Sequence, residues 1–182
     1  SASTGTLSFA GTDGEVQQAT VQVAGDVKVE DDEFFQVLLG TPTGGVGVDD
    51  DTANGTLVND DNAGLSIDDL TILEGDSGTT DFTFTVTLTG EVQGGFTVNY
   101  DTDDSTATMA DSDYTGVTDT LTFVGTDGEM QTVTVQALGD TTVEANEQFR
   151  LHLRSPVRPG VLIPDGTGFA TLINDDTATI AI

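Results

Sequence analysis

The sequence contains a second copy of part of itself. The pentapeptide Gly-Thr-Asp-Gly-Glu at residues 11–15 recurs at residues 125–129, an offset of 114 residues. Identical residues recur at this offset on both sides of the pentapeptide, from Leu7 and Leu121 as far as Leu39 and Leu153. A period of this length is typical of an array in which one folding unit is repeated. The chain is therefore expected to fold as repeats of about 115 residues.

The repeat boundaries follow from a second duplicated motif. Asn59-Asp60-Asp61 recurs as Asn174-Asp175-Asp176, and in the same register the strand-like residues 63–67 align with residues 178–182. This register predicts three parts: residues 1–61 are the C-terminal half of one repeat, residues 62–176 are a complete repeat, and residues 177–182 are the first strand of another. No Pro- or Gly-rich linker separates the parts, so neighbouring repeats are expected to sit end to end.

Short segments that alternate apolar and polar residues predict β-strands throughout the complete repeat. Residues 82–88 alternate phenylalanine, valine and leucine with threonine without interruption, the pattern of a strand with one buried face. No segment shows helical periodicity. The seven predicted strands, A to G, are residues 65–67, 82–88, 96–100, 120–124, 132–138, 149–153 and 169–173. This pattern indicates an all-β fold, an antiparallel immunoglobulin-like β-sandwich.

The charge of the chain excludes several classes of partner. Asp and Glu number 32 against 4 Lys and Arg, a formal net charge of −28. Nucleic acid is not expected to bind, because phosphate recognition needs clustered basic residues. Membrane insertion is not expected either, because no apolar run approaches the length of a membrane span. The chain has no cysteine, so disulfides and thiolate metal sites are excluded.

Acidic residues concentrate at one predicted end of the sandwich. If successive strands run up and down, the A–B, C–D and E–F connections and the tail after G emerge together. Carboxylates converging there repel one another unless a cation lies among them, and calcium suits six to eight oxygens in adaptable geometry. An alternative is that acid-rich turns are a surface adaptation to high salt. The acids predicted to meet are Glu74, Asp111, Asp113, Asp140, Glu144, Glu147, Asp175 and Asp176.

Three motifs give the chain a resemblance to the Calx-β family of immunoglobulin-like repeats, which occurs in sodium–calcium exchangers and large bacterial surface proteins. They are Ser112-Asp113-Tyr114, the segment from Gly139 to Phe149, and the segment from Ala170 to Asp176. The resemblance implies calcium binding, with ligands Glu74, Asp113, Asp140, Glu144, Glu147, Asp175 and Asp176 and with the Thr142 carbonyl as an addition. It implies the equivalent ligands Asp26, Glu30, Glu33, Asp60 and Asp61 in the first repeat.

No arrangement of residues indicates catalysis, so the chain is predicted not to be an enzyme. His152 is the only histidine and stands between two leucines of a predicted strand. The expected function is a calcium-binding structural repeat of an extracellular or cell-surface stalk, adhesin or filament, stiffened by ions at the repeat junctions. Its partners would be neighbouring repeats, and also copies of itself in a fibre or other cell-surface components. Two alternatives remain, a ligand- or carbohydrate-binding adhesion module and a calcium-sensing regulatory domain.

Overall fold

The computed structural model describes residues 4–182, and these residues form strands without any helix. No helix in this range is long and apolar enough to cross a membrane. The strands are β1 (Lys28–Val29), β2 (Glu33–Leu38), β3 (Thr52–Leu57), β4 (Ala63–Ile67), β5 (Leu70–Leu73), β6 (Gly78–Thr89), β7 (Glu91–Val92), β8 (Phe96–Asp104), β9 (Tyr114–Thr115), β10 (Thr118–Phe123), β11 (Met130–Gly139), β12 (Glu147–Leu153), β13 (Val161–Asp165) and β14 (Thr167–Ile173).

Residues 63–173 form a two-sheet sandwich, as the sequence predicts. One five-stranded sheet has the order β13-β4-β6-β11-β9, and the other has the order β10-β8-β12-β14-β5. Phe82, Phe84, Val86 and Leu88 of β6 are fully buried between the sheets, while the threonines that alternate with them face outwards. The phenylalanines meet Phe149 of the opposite sheet edge to face, with ring centroids 5.7 and 6.2 Å apart.

The first strand region extends beyond the predicted residues 65–67 and is divided between the two sheets. β4 pairs with β6, whereas β5 crosses to the other sheet and runs parallel to β14. Two aspartates stabilise the crossing: Asp68 accepts a hydrogen bond from Thr85 N (2.6 Å) and Asp69 accepts one from Phe169 N (2.8 Å). β13 also pairs in parallel with β4, so each sheet has one parallel edge pair, while its remaining pairs are antiparallel. Between residues 63 and 173, the short strands β5, β7, β9 and β13 are absent from the sequence prediction.

The N-terminal segment, residues 4–61, forms only β1 and the hairpin of β2 and β3. Several of its apolar residues are exposed although their duplicates are buried: Phe9 is 59% exposed against 1% for Phe123, and Val21 is 49% exposed against 0% for Val135. Strand β11, the duplicate of this region, pairs with β6 and β9. The N-terminal segment has no counterpart of β6, so the same sequence forms no strand there.

The N-terminal segment joins the sandwich through a compact junction. β1 pairs in parallel with β7, Gln93 N donates to Val29 O (2.8 Å), and Arg158 lies 3.3 Å from the Asp31 carboxylate. The far end of the chain differs. Residues 174–182 form no strand and Ile180 is 96% exposed, so the assignment of residues 177–182 to a following repeat stays a prediction.

Candidate metal centre

Four chain segments meet at one end of the sandwich, here called the acidic pole. They are the turn between β5 and β6 (residues 74–77), the loop between β8 and β9 (105–113), the loop between β11 and β12 (140–146) and the residues after β14 (174–176). Two groups of carboxylates form there. Oxygens of Asp113, Glu144 and Glu147 lie within 4.8 Å of one another, and so do oxygens of Asp76, Asp175 and Asp176.

The loop before β9 is held in a conformation that presents its acids to the pole. Ser112 has a φ of 72°, a left-handed conformation that is uncommon for residues other than glycine. Asp113 accepts a hydrogen bond from Thr108 N (2.7 Å), and Asp111 accepts one from the Thr108 hydroxyl (3.0 Å). The buried ring of Tyr114 fixes the end of the loop, because its hydroxyl donates to Asp104 (2.6 Å).

The second group is anchored by backbone contacts between the A–B turn and the chain after β14. Glu74 N donates to Ile173 O (3.1 Å) and Gly75 N donates to the Asp175 carboxylate (3.1 Å). The turn also lies against the end of β11, where a Cβ on Gly139 would come within 2.0 Å of Gly75 O. Glycine at position 139 therefore allows the A–B turn and the E–F loop to approach closely.

Glu74 lies between the two carboxylate groups. It is 9% exposed, and burial followed by the charges of Glu144 and Asp140 raises its pKa above the ordinary value. The Thr142 carbonyl also faces this region. In one orientation of its amide, the Asn174 side chain donates to Thr142 O (3.0 Å) and to Glu74 Oε1 (3.1 Å).

Crowding of carboxylates raises several pKa values at the acidic pole. Burial, and next the charge of Asp113, raises the pKa of Glu147 to about 7 from an ordinary value of 4.5. Burial and the charges of neighbouring acids also raise the pKa of Glu144 and of Asp176. Asp140 behaves in the opposite way, because the hydrogen bond from Thr142 N lowers its pKa. The pole holds more negative charge than its own donors stabilise.

One carboxylate oxygen at the acidic pole is buried without a hydrogen-bond donor. Asp176 Oδ2 has almost no exposed area, and none of the described residues donates to it. A buried carboxylate oxygen left in this way is strongly unfavourable unless a donor or a cation reaches it. Because Asp76 and Asp175 stand beside it, a cation would be a suitable partner and would offset their charges as well. The chemistry of this donor set fits a hard cation that prefers oxygen ligands.

The structure brings the predicted acids of the complete repeat together. Asp76 is an addition that the sequence prediction missed, although it follows Glu74 by two residues in the same turn. The predicted residues that lie at the acidic pole are Glu74, Asp111, Asp113, Asp140, Glu144, Glu147, Asp175 and Asp176, with the Thr142 carbonyl.

The corresponding acids of the N-terminal segment lie around an open cavity of about 340 Å³, which Asp26, Glu30, Glu33, Asp60 and Asp61 all line. Within residues 4–61, however, no three carboxylates bring their oxygens within 4.8 Å of one another. The reason lies in the chain segments that supply the acids. At the acidic pole, Asp76 and Asp113 come from the A–B and C–D connections, and this segment has no counterpart of either.

Stability should depend on pH through Glu147. The pKa of this carboxyl is about 7 in the folded chain and 4.5 when unfolded. Its protonation therefore stabilises the fold in full below pH 4.5, and this contribution is lost as the pH rises through 7. We expect the chain, freed of divalent cations, to unfold at a higher temperature at pH 5 than at pH 8. Thermal unfolding checks this. Glu147→Gln should reduce the difference between the two pH values, and an undiminished difference would contradict the assignment.

Comparison with known proteins finds one domain family in two overlapping parts of the chain. The sequence profile of the Calx-beta domain matches residues 1–70 and residues 59–177. The fold is similar to the apo-form Calx CBD1 domain, with a TM-score of 0.55 and 23% identity over 64% of this chain and 100% of that one. It is also similar to CBD12 from CALX1.2 (TM-score 0.54, 24% identity, 62% of this chain and 46% of that one).

A third similar structure is the calcium binding domain CBD12 of CALX1.1, with a TM-score of 0.54 and 23% identity over 62% of this chain and 44% of that one. This chain therefore spans the whole of the single CBD1 domain and less than half of either CBD12 chain. No curated protein sequence matches it.

Proposed function

The chain belongs to the Calx-beta domain family, and we propose that it binds calcium at the acidic pole and acts as a structural repeat that calcium stiffens. The observation that carries the proposal is the buried Asp176 Oδ2, which no described residue satisfies. A calcium ion among Asp76, Asp175 and Asp176 supplies the missing partner. A second ion position lies among Asp113, Glu144 and Glu147, with Glu74 between the two.

The available oxygens favour calcium over magnesium. The pole supplies many oxygens, from the carboxylates of four chain segments and from one backbone carbonyl. The long side chains of Glu74, Glu144 and Glu147 do not impose one geometry on them. Calcium takes six to eight oxygens at variable angles, whereas magnesium requires a near-ideal octahedron and retains several waters. The similar structure described as a calcium binding domain, CBD12 of CALX1.1, supports the same choice.

The structural role is supported by the position of the E–F loop of the N-terminal segment. This loop, residues 26–33, carries the acids Asp26, Glu30 and Glu33. It also makes the junction with the sandwich, through β1 and through the contact of Asp31 with Arg158. The carboxylates of this loop line an open cavity although their oxygens do not converge within 4.8 Å, so an ion that draws them together would also order the junction. A stiff array of such repeats suits an extracellular or cell-surface stalk, adhesin or filament, where calcium is abundant.

Small-angle scattering of the chain tests this function. We expect the maximum dimension to be better defined in millimolar calcium than in chelator, with less flexibility between the N-terminal segment and the sandwich. Magnesium at the same concentration should leave the chain close to its chelated state. Identical scattering in calcium and in chelator would exclude the stiffening role, whether or not the ion binds.

A further inference from the structure

A single valine connects the N-terminal segment to the core of the sandwich. Val29 is fully buried, although most of the segment around it is exposed. Its strand pairs with Val92, its carbonyl accepts a hydrogen bond from Gln93 N (2.8 Å), and its side chain lies against Gly160, where a Cβ would come within 2.7 Å. We call Val29 the plug, and Val92, Gln93 and Gly160 the seat.

The duplication places a second valine in the position of the plug. Val143 follows Val29 at the offset of 114 residues, and its loop is held by matching hydrogen bonds. In the first loop, Asp26 accepts from Lys28 N and Asn59 accepts from Glu30 N (2.9 Å). In the second loop, Asp140 accepts the equivalent bond from Thr142 N. Asn174 accepts from Glu144 N (3.3 Å) in the amide orientation in which it does not donate to Thr142 O and Glu74. Both loops therefore present their valine from the same backbone framework.

The environments of the two valines differ completely. Val29 has no exposed surface, whereas Val143 is 52% exposed. The seat within this chain is occupied by Val29, so Val143 has none to enter. A second copy of the chain does not offer an open seat either, because its own Val29 fills it. The site that can accept Val143 is therefore the seat of a further repeat.

The path of the chain also places a following repeat beside Val143. At the existing junction, the chain leaves Asp61 and reaches Ala63, which bonds to Gly160 O beside the plug. After Asp176 the sequence reaches Ala178, the counterpart of Ala63. A repeat continuing from residue 178 would thus begin next to Val143, just as the sandwich begins at Ala63 next to Val29.

We propose that Val143 is a docking residue for a following repeat of the same kind, which receives it between an apolar residue at the position of Val92 and a glycine at the position of Gly160. The valine of each E–F loop then fixes the next repeat of an array. Docking of this type buries apolar surface and requires no ion to contact the valine. It is separate from calcium binding and is tested at one calcium concentration throughout.

The test uses an extended chain in which residues 63–182 are joined after Thr177. Amide hydrogen exchange is followed at Gln93 of the appended copy, the donor that pairs with the plug when docking occurs. We expect this amide to be protected in the extended chain and to exchange about tenfold faster with Val143→Asp in the first copy. Val143→Asp also adds a carboxylate between Thr142 and Glu144 at the acidic pole, so the uncharged variant Val143→Asn is measured beside it and should accelerate the exchange of the same amide.

Leu162→Asp is the matched control, because Leu162 is 53% exposed but lies on β13 rather than in the E–F loop. Its effect should be the same in the natural and the extended chain. Equal exchange of the appended Gln93 with and without Val143→Asp would overturn the proposal. A second result would also overturn it: the natural chain has twice its expected mass in solution, and Val143→Asp returns it to the mass of one chain. Val143 would then dock on a second copy of the chain and not on a following repeat.

Discussion

Asp176→Asn is expected to weaken calcium binding by about tenfold or more, because it replaces a carboxylate oxygen of the ion with an amide. In chelator the same substitution should leave stability equal or raise it, since it removes one of three crowded negative charges. Opposite effects with and without the ion distinguish a ligand from a structural residue. Calorimetric titration gives the affinity, and thermal unfolding in chelator gives the stability.

Asp165→Asn provides the control for this substitution. It removes the same charge from an exposed residue at the end of β13, where β14 begins, at the opposite end of the sandwich from the acidic pole. Calcium affinity should stay near that of the wild type, because long-range screening leaves only a small effect of net charge. If the two variants lost affinity equally, the effect would be one of general charge and not of a ligand at position 176.

Phe149→Ala is expected to lower the free energy of unfolding by about 3 to 5 kcal/mol, the usual range for a large aromatic residue removed from a packed core. Phe149 is fully buried and stacks on Tyr114 with ring centroids 4.3 Å apart. It lies two residues after Glu147 on β12, so the same side chain also supports the acidic pole. Denaturant unfolding monitored by circular dichroism measures the loss.

The duplication supplies a control within the chain. Phe35 is the counterpart of Phe149, but it lies on the isolated hairpin of β2 and β3 and is only half-buried, with its ring over Gly55. Phe35→Ala should therefore shift the unfolding transition far less. Equal losses from the two substitutions would mean that residues 4–61 belong to the same cooperative core as the sandwich.

The alternation of residues 82–88 was sufficient to predict both the strand and its buried face, because a strand with one buried face is a local pattern. Grouping of the acids at one pole followed from the alternating direction of the strands. The division of the first strand at Asp68 and Asp69 could not be predicted in this way. It depends on hydrogen bonds to Thr85 and Phe169, which are distant in sequence.

Non-local pairing also explains the largest difference between sequence and structure. Val21 and Val135 occupy the same local sequence, yet one is 49% exposed and the other fully buried. Only Val135 has β6 beside it. Val29 and Val143 differ for the same reason, since burial of either depends on a seat in another repeat. Asp76 was missed because its role depends on how the turn meets Asp175 and Asp176.

The central claim is that calcium completes the acidic pole, and thermal unfolding of the chain in calcium, magnesium and chelator tests it most directly. A ligand that binds only the folded state at a hundredfold excess over Kd stabilises it by about 2.7 kcal/mol per site. For a domain of this size the Tm should rise by roughly 10 °C. The account predicts this rise in calcium and little change in magnesium. An unchanged Tm in calcium would contradict it and favour the alternative that the acids are a surface adaptation to high salt.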